Sequence, residues 1–180
     1  EFRRVLFRSQ QSWSDVPWDQ VPAEGQANLE ATIHRAVELG IHHIETARGY
    51  GSSEMQLAPV LRQFRRESLV VQTKVMPKPT AREFLETFET SMRNLGLEYV
   101  DLLSVHGINH AGHLDETLRK GGCLEVCRQL QREGRVRFVG FSTHATPGVI
   151  SEAIRSDEFD YVNLHWYLRS EEHTSELQSQ

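Results

Sequence analysis

The chain has 180 residues, a formal net charge of −5 with its histidines neutral, and 38% hydrophobic residues. Mild acidity without a basic cluster argues against a nucleic-acid footprint, and no apolar run approaches the ~20 residues that a membrane helix needs. The two cysteines, Cys123 and Cys127 in "CLEVC", fall on one face of a helix. Without a second pair they read as small helix residues rather than half of a metal site, and a reduced, cytoplasmic setting suits them.

The two ends are related to each other. "RSEEHTSELQS" (Arg169–Ser179) can be encoded by one short DNA whose opposite strand reads stop-Leu-Glu-Phe-Arg-Arg-Val-Leu-Phe-Arg-Ser, and residues 1–9 are "EFRRVLFRS". That DNA resembles a common sequencing-library adapter. Residues 1–9 and 169–180 are therefore expected to be adapter-derived scars outside the fold. Residues 10–168 then form one partial domain with a cut at each side. The scars carry opposite charges of equal size, so the acidity belongs to the middle.

In chain order, helical spacing comes first at Leu29, Ile33, Ala36 and Val37, stopped by Gly40. The apolar run "IHHIETA" follows. A second helix carries Leu57, Val60, Leu61 and Phe64, with Ser53 and Gln56 at capping-box spacing. After "LVVQTKV" a third helix opens on "TARE" (Thr80, Glu83), carries Phe84, Leu85, Phe88, Met92 and Leu95, and meets Gly96. "YVDLLSVHG" comes next, and "HGINHAGH" reads as a loop with solvated histidines. A fourth helix spans Cys123 to Arg132 and stops at Gly134. "VRFVGFST" precedes a fifth that begins Thr146-Pro147, cap then first-turn proline. "FDYVNLHWYL" closes the series. Trp13 and Trp18 near the start read as loop residues over a barrel mouth, Trp166 and Tyr167 as packing or pocket lining.

The apolar runs do not alternate strictly, which is the pattern of parallel strands buried on both faces. Strand and helix alternate five times with short links, an α/β architecture. No G-x-G-x-x-G follows a strand, as a doubly wound nucleotide fold would have it. The expected fold is an incomplete (β/α)8 TIM barrel of about five parallel strands.

A barrel's active site lies at the carboxyl ends of its strands. There the sequence places Glu45, Lys74, His106, Ser142 with Thr143 and His144, then Asn163 and His165. One buried polar residue is ordinarily a satisfied core group; successive strands doing this at the same end would point into one space. Glu45, Lys74 and His106, with Tyr50 five residues beyond Glu45, suit reduction of a carbonyl. A free phenol, pKa ~10, is a poor acid. A neighbouring ammonium, itself held by a carboxylate, makes a phenol a better one, and a histidine can hold the carbonyl oxygen. The hydride must come from a cofactor, since no side chain supplies one.

"IETARGYGSSE", "VQTKV", "DLLSVHG" and "VGFST" resemble the aldo-keto reductases, NADPH-dependent oxidoreductases on a (β/α)8 barrel. The resemblance covers about 26–168. It implies Tyr50 as general acid/base, Lys74 as the cation beside it, and His106, five residues after Asp101, as the group that orients the carbonyl. Ser142 and Asn163 align with contacts to the nicotinamide carboxamide. Three positions depart from the pattern: Glu45 replaces the usual aspartate, Thr143 an asparagine, and Asn163 a glutamine. "ETARGYGSSE" resembles a branch that keeps the glutamate, some of whose members carry a C-terminal iron–sulfur segment.

The resemblance also implies that the pyrophosphate- and 2′-phosphate-binding loops lie beyond this chain. A barrel of about 250 residues is normal, so the chain alone is expected to be inactive, with an open sheet edge prone to pairing. Expected partners are NADPH and a small carbonyl substrate, with no nucleic acid, membrane or metal. Two other readings stay open. In one, the barrel is a cofactor-binding sensor or accessory subunit with weak catalysis. In the other, His106, His144 and His165, with His110 and His113, serve a metal-dependent hydrolase.

Overall fold

The structure is a computed structural model that describes residues 4–6 and 23–164. His165, Trp166, Tyr167, Trp13 and Trp18 lie outside the described residues. Helix α1 (Ala23–Glu38) buries Leu29, Ile33 and Ala36 and ends before Gly40, whose φ of +80° only glycine adopts without strain. Strand β2 (His43–Glu45) leads to α2 (Ser53–Leu61), β3 (Val70–Val75) and α3 (Ala81–Leu95). Then come β4 (Val100–Val105), α4 (Ala111–Leu118), α5 (Cys123–Arg132), β5 (Val136–Thr143), α6 (Pro147–Arg155) and β6 (Tyr161–Leu164). All strands are parallel, and each lies beside its predecessor in the chain. That singly wound order belongs to a barrel; a doubly wound sheet reverses direction partway. The fold is a half-barrel of parallel strands alternating with helices.

Side chains separate by parity along each strand. Val71, Val75, Leu103, Val105, Val139 and Phe141 face the helices and form the core with Leu57, Phe84, Phe88, Leu95, Cys127 and Leu130. The opposite face carries a hydrogen-bonded layer instead of an apolar one. His43 Nε2 lies 3.0 Å from Gln72 Oε1, Gln72 Nε2 donates to Ser104 Oγ at 2.9 Å, and Ser104 Oγ meets the Tyr161 hydroxyl at 3.0 Å. Burial pushes the Tyr161 phenol far up, so it stays neutral within this layer. Gly140 makes the layer possible: a Cβ there would stand 2.5 Å from Tyr161 O and 2.6 Å from its ring.

The helix ends reward some signals and overrule others. Thr80 and Glu83 make the reciprocal capping box, at 3.2 and 3.3 Å, and Gly96 at φ +65° closes α3. Ser53 and Gln56 make none. Ser52 is the cap residue of α2, without a side-chain cap, and the Ser53 hydroxyl lies 2.8 Å from that of Thr46. A hydroxyl beside a strand end finds a tertiary partner, and the local motif loses. "HGINHAGH" is likewise more than a loop. Its second half begins α4, capped by the His110 ring, whose Nδ1 accepts from the His113 amide at 3.3 Å. Only Leu114 and Thr117 of α4 are buried, too thin an apolar stripe to reveal a helix by periodicity.

Residues 4–6 form β1 (Arg4–Leu6) and pair in parallel with β2, Val5 opposite Ile44. These residues belong to the segment set aside above as adapter-derived. The free edge of β2 offers unpaired backbone groups, and an extended segment of any origin can fill them.

Candidate active site

Two strands and one loop build the centre. After β2 the chain runs on beside β3: the Thr46 amide donates to Gln72 O at 2.9 Å and the Arg48 amide to Lys74 O at 3.0 Å. It then turns, with the Tyr50 amide on Ala47 O at 3.0 Å, and Gly51 at φ +61° starts the approach to α2. This places Tyr50 over the end of β3. Lys74 is 2% exposed, and all three of its ammonium protons find acceptors. Nζ is 2.7 Å from Glu45 Oε1, 3.0 Å from Thr46 O and 3.3 Å from the Tyr50 hydroxyl. The extra methylene of Glu45 relative to aspartate does not prevent a close ion pair.

His106 follows β4 and anchors its amide on Val75 O at 2.8 Å. Its ring stands edge-on to that of Tyr50, with centroids 5.6 Å apart. Glu45, Tyr50, Lys74 and His106 therefore share one mouth of the half-barrel. Ser142 lies at the end of β5, where its hydroxyl accepts from the Gly107 amide at 3.1 Å, bracing the turn that follows His106. Asn163, in β6, accepts from Gln72 through Oδ1 at 3.4 Å, while its buried Nδ2 makes no hydrogen bond among the described residues. A carboxamide oxygen is the acceptor such a donor needs, and to this extent the residues fit a nicotinamide.

Thr143 and His144 do not join them. Thr143 donates to Ile108 O at 2.6 Å and accepts from the Ala145 amide at 2.9 Å, holding the β5–α6 loop. His144 is exposed. His110 and His113 stack on each other at 3.7 Å, and His113 Nδ1 lies 2.9 Å from Gly107 O. Among the described residues no three His, Cys, Asp or Glu side chains gather as metal ligands. Cys123 and Cys127 are free and buried; burial pushes both thiols up, which keeps them inert.

Sequence reasoning overlooked one group. Glu54, inside the quoted "GYGSSE", has no solvent exposure and pairs with Arg48 at 2.7 Å. Nothing local marks it, because a glutamate in the first turn of a helix is ordinarily a solvated group that complements the helix dipole.

Consecutive parallel strands alternating with helices define a (β/α) barrel protein, and the lysine–carboxylate–tyrosine set lies at its carboxyl rim. The family model described as "Aldo/keto reductase family" matches residues 15–175, and the chain belongs to that family. It is 27% identical over 149 residues to an uncharacterized oxidoreductase, YqkF, of Bacillus subtilis, covering 76% of this chain and 46% of that protein. It is 30% identical over 147 residues to the methylglyoxal reductase DkgA of Salmonella typhimurium, covering 75% and 48%. A crystal structure from Pseudomonas aeruginosa, assigned to the aldo-keto reductases, superimposes with a TM-score of 0.73 at 26% identity, over 98% of this chain and 68% of that one. The chain thus spans about half the length of the curated relatives it matches.

Proposed function

We propose that the whole protein is an NADPH-dependent oxidoreductase that reduces an aldehyde or ketone, with Tyr50 as general acid. The observation that carries this reading is the Tyr50 hydroxyl, held 3.3 Å from Lys74 Nζ at the mouth shared with His106. Lys74 is fixed by Glu45 and Thr46 O, so its third proton is directed at the phenol without reorganisation. His106 hydrogen-bonds the carbonyl oxygen and aligns it with the Tyr50 hydroxyl. Ser142 and the free donor of Asn163 would hold the carboxamide of a bound nicotinamide, whose chemistry there would be delivery of a hydride to the carbonyl carbon. Tyr50 gives its proton to the oxygen, and the resulting phenolate is stabilised by the adjacent ammonium. The product is an alcohol.

No helix among the described residues is long and apolar enough to cross a membrane, and we place the protein in the cytoplasm. The decisive experiment is steady-state oxidation of NADPH by the whole protein against a panel of small aldehydes, with Tyr50→Phe as control. Turnover should vanish in the variant; equal turnover would refute the assignment. The 180-residue chain alone should show no turnover above that control.

A further inference from the structure

The loop that carries Tyr50 is held to β3 from both faces of the strand. On the barrel side Lys74 donates to Thr46 O and to the Tyr50 hydroxyl. On the helix side, one residue earlier, the Thr73 hydroxyl donates to Glu54 Oε1 at 2.7 Å. The other carboxylate oxygen takes Arg48 Nη1 at 2.7 Å and Asn94 Nδ2 at 3.3 Å. These donors come from the loop, from β3 and from α3. The Arg48 amide also donates to Lys74 O, so the loop meets β3 through its main chain and, by way of Glu54, through its side chain.

A fully buried carboxylate is expensive to desolvate unless its oxygens are occupied. Mere filling of this space would be served as well by an apolar side chain. What an apolar side chain lacks is direction: donors from three elements converge on one carboxylate in only one relative arrangement. We propose that Glu54 is a positioning residue, which with Arg48 and Thr73 sets the height of the Tyr50 loop over β3 and hence the separation of the Tyr50 hydroxyl from Lys74. The catalytic meaning of that separation rests on the reductase reading; the placement itself does not. A displacement of about 1 Å at a reacting group lowers turnover by as much as a hundredfold.

Hydrogen exchange of the 180-residue chain, read by mass spectrometry, tests the placement. In Glu54→Gln, which keeps size and loses charge, amides of 46–53 should exchange roughly tenfold faster or more, while those of 100–105 and 136–143 keep their rates. Unchanged loop exchange, or a uniform rise throughout, would overturn the proposal. Should Glu54→Gln fail to fold, Thr73→Val and Thr73→Ser decide it. Serine keeps the hydroxyl and should restore loop protection that valine loses; equal rates in the two overturn it. In the whole protein, Glu54→Gln should lower kcat with KM kept within about twofold, as loss of transition-state alignment requires. If the unmodified whole protein reduces no carbonyl, the reductase reading fails and the exchange rates alone decide the role of Glu54.

Discussion

Both rims of the half-barrel bury an acid against a base, and the two arrangements differ in what they leave over. At the amino ends of the strands, Asp101 accepts from the Val71 amide at 2.9 Å, Arg66 at 2.7 Å and Arg137 at 2.8 Å. Burial alone would raise its pKa, but the amide and the two guanidinium groups outweigh that and hold the carboxyl below the usual carboxylate range. Tyr99 meets this cluster through its ring face, whose centroid lies 4.0 Å from Arg66 Cζ, and the cluster ties β3, β4 and β5 together. At the carboxyl ends, Glu45 and Lys74 also pair, at 2.7 Å, yet one ammonium proton is directed at the Tyr50 hydroxyl, and His106 stands beside it. A closed polar cluster supports the fold. One that keeps a functional group at an open mouth can do chemistry.

That contrast predicts separate losses. Tyr50→Phe should lower carbonyl turnover of the whole protein by about 10²–10⁴-fold while leaving its melting temperature nearly unchanged; a large thermal shift would assign Tyr50 to packing. Lys74→Met should cost both properties, because Glu45 would remain buried without its partner. The expected destabilisation is about 3–5 kcal/mol, read by urea unfolding. Asp101→Asn should cost about 1.5–3 kcal/mol and leave kcat within about twofold, since it breaks charged hydrogen bonds at the rim without chemistry.

Asp101 also sets a pH dependence. Its folded pKa lies below the unfolded value of about 3.9, so its stabilisation is present above that pH and is lost as pH falls through the depressed folded value. Acid unfolding should therefore begin from a lower stability and respond less steeply to pH in Asp101→Asn. The smallest effect belongs to neither rim. Thr80→Ala removes the capping box of α3 and should cost about 1 kcal/mol without touching turnover.

The parallel strands could be read from unbroken apolar runs, and α1, α3 and α5 from periodicity and their stop glycines. Glu45, Lys74 and His106 stood out because each is a polar residue closing such a run. Elements with thin burial were hidden: α4 has little apolar face, and its cap is a histidine ring. Thr143 and His144 looked like site residues because they end a strand, but a strand's last residues alternate in direction. Thr143 turns toward Ile108. The polar layer of His43, Gln72, Ser104 and Tyr161 is invisible to any window of sequence, since its members lie on four strands.

The amino-acid order by itself determined the alternation of strand and helix, because periodicity and glycine stops are local, and it placed a carboxylate, an ammonium and an imidazole at strand ends. Tertiary structure alone decided which of those groups meet. A contact of 3.3 Å between Lys74 and Tyr50 spans 24 positions of chain, and it depends on how strands register and which way a loop is tethered. Hydrogen bonds are short and directional, so only the assembled barrel can choose among the partners that composition permits.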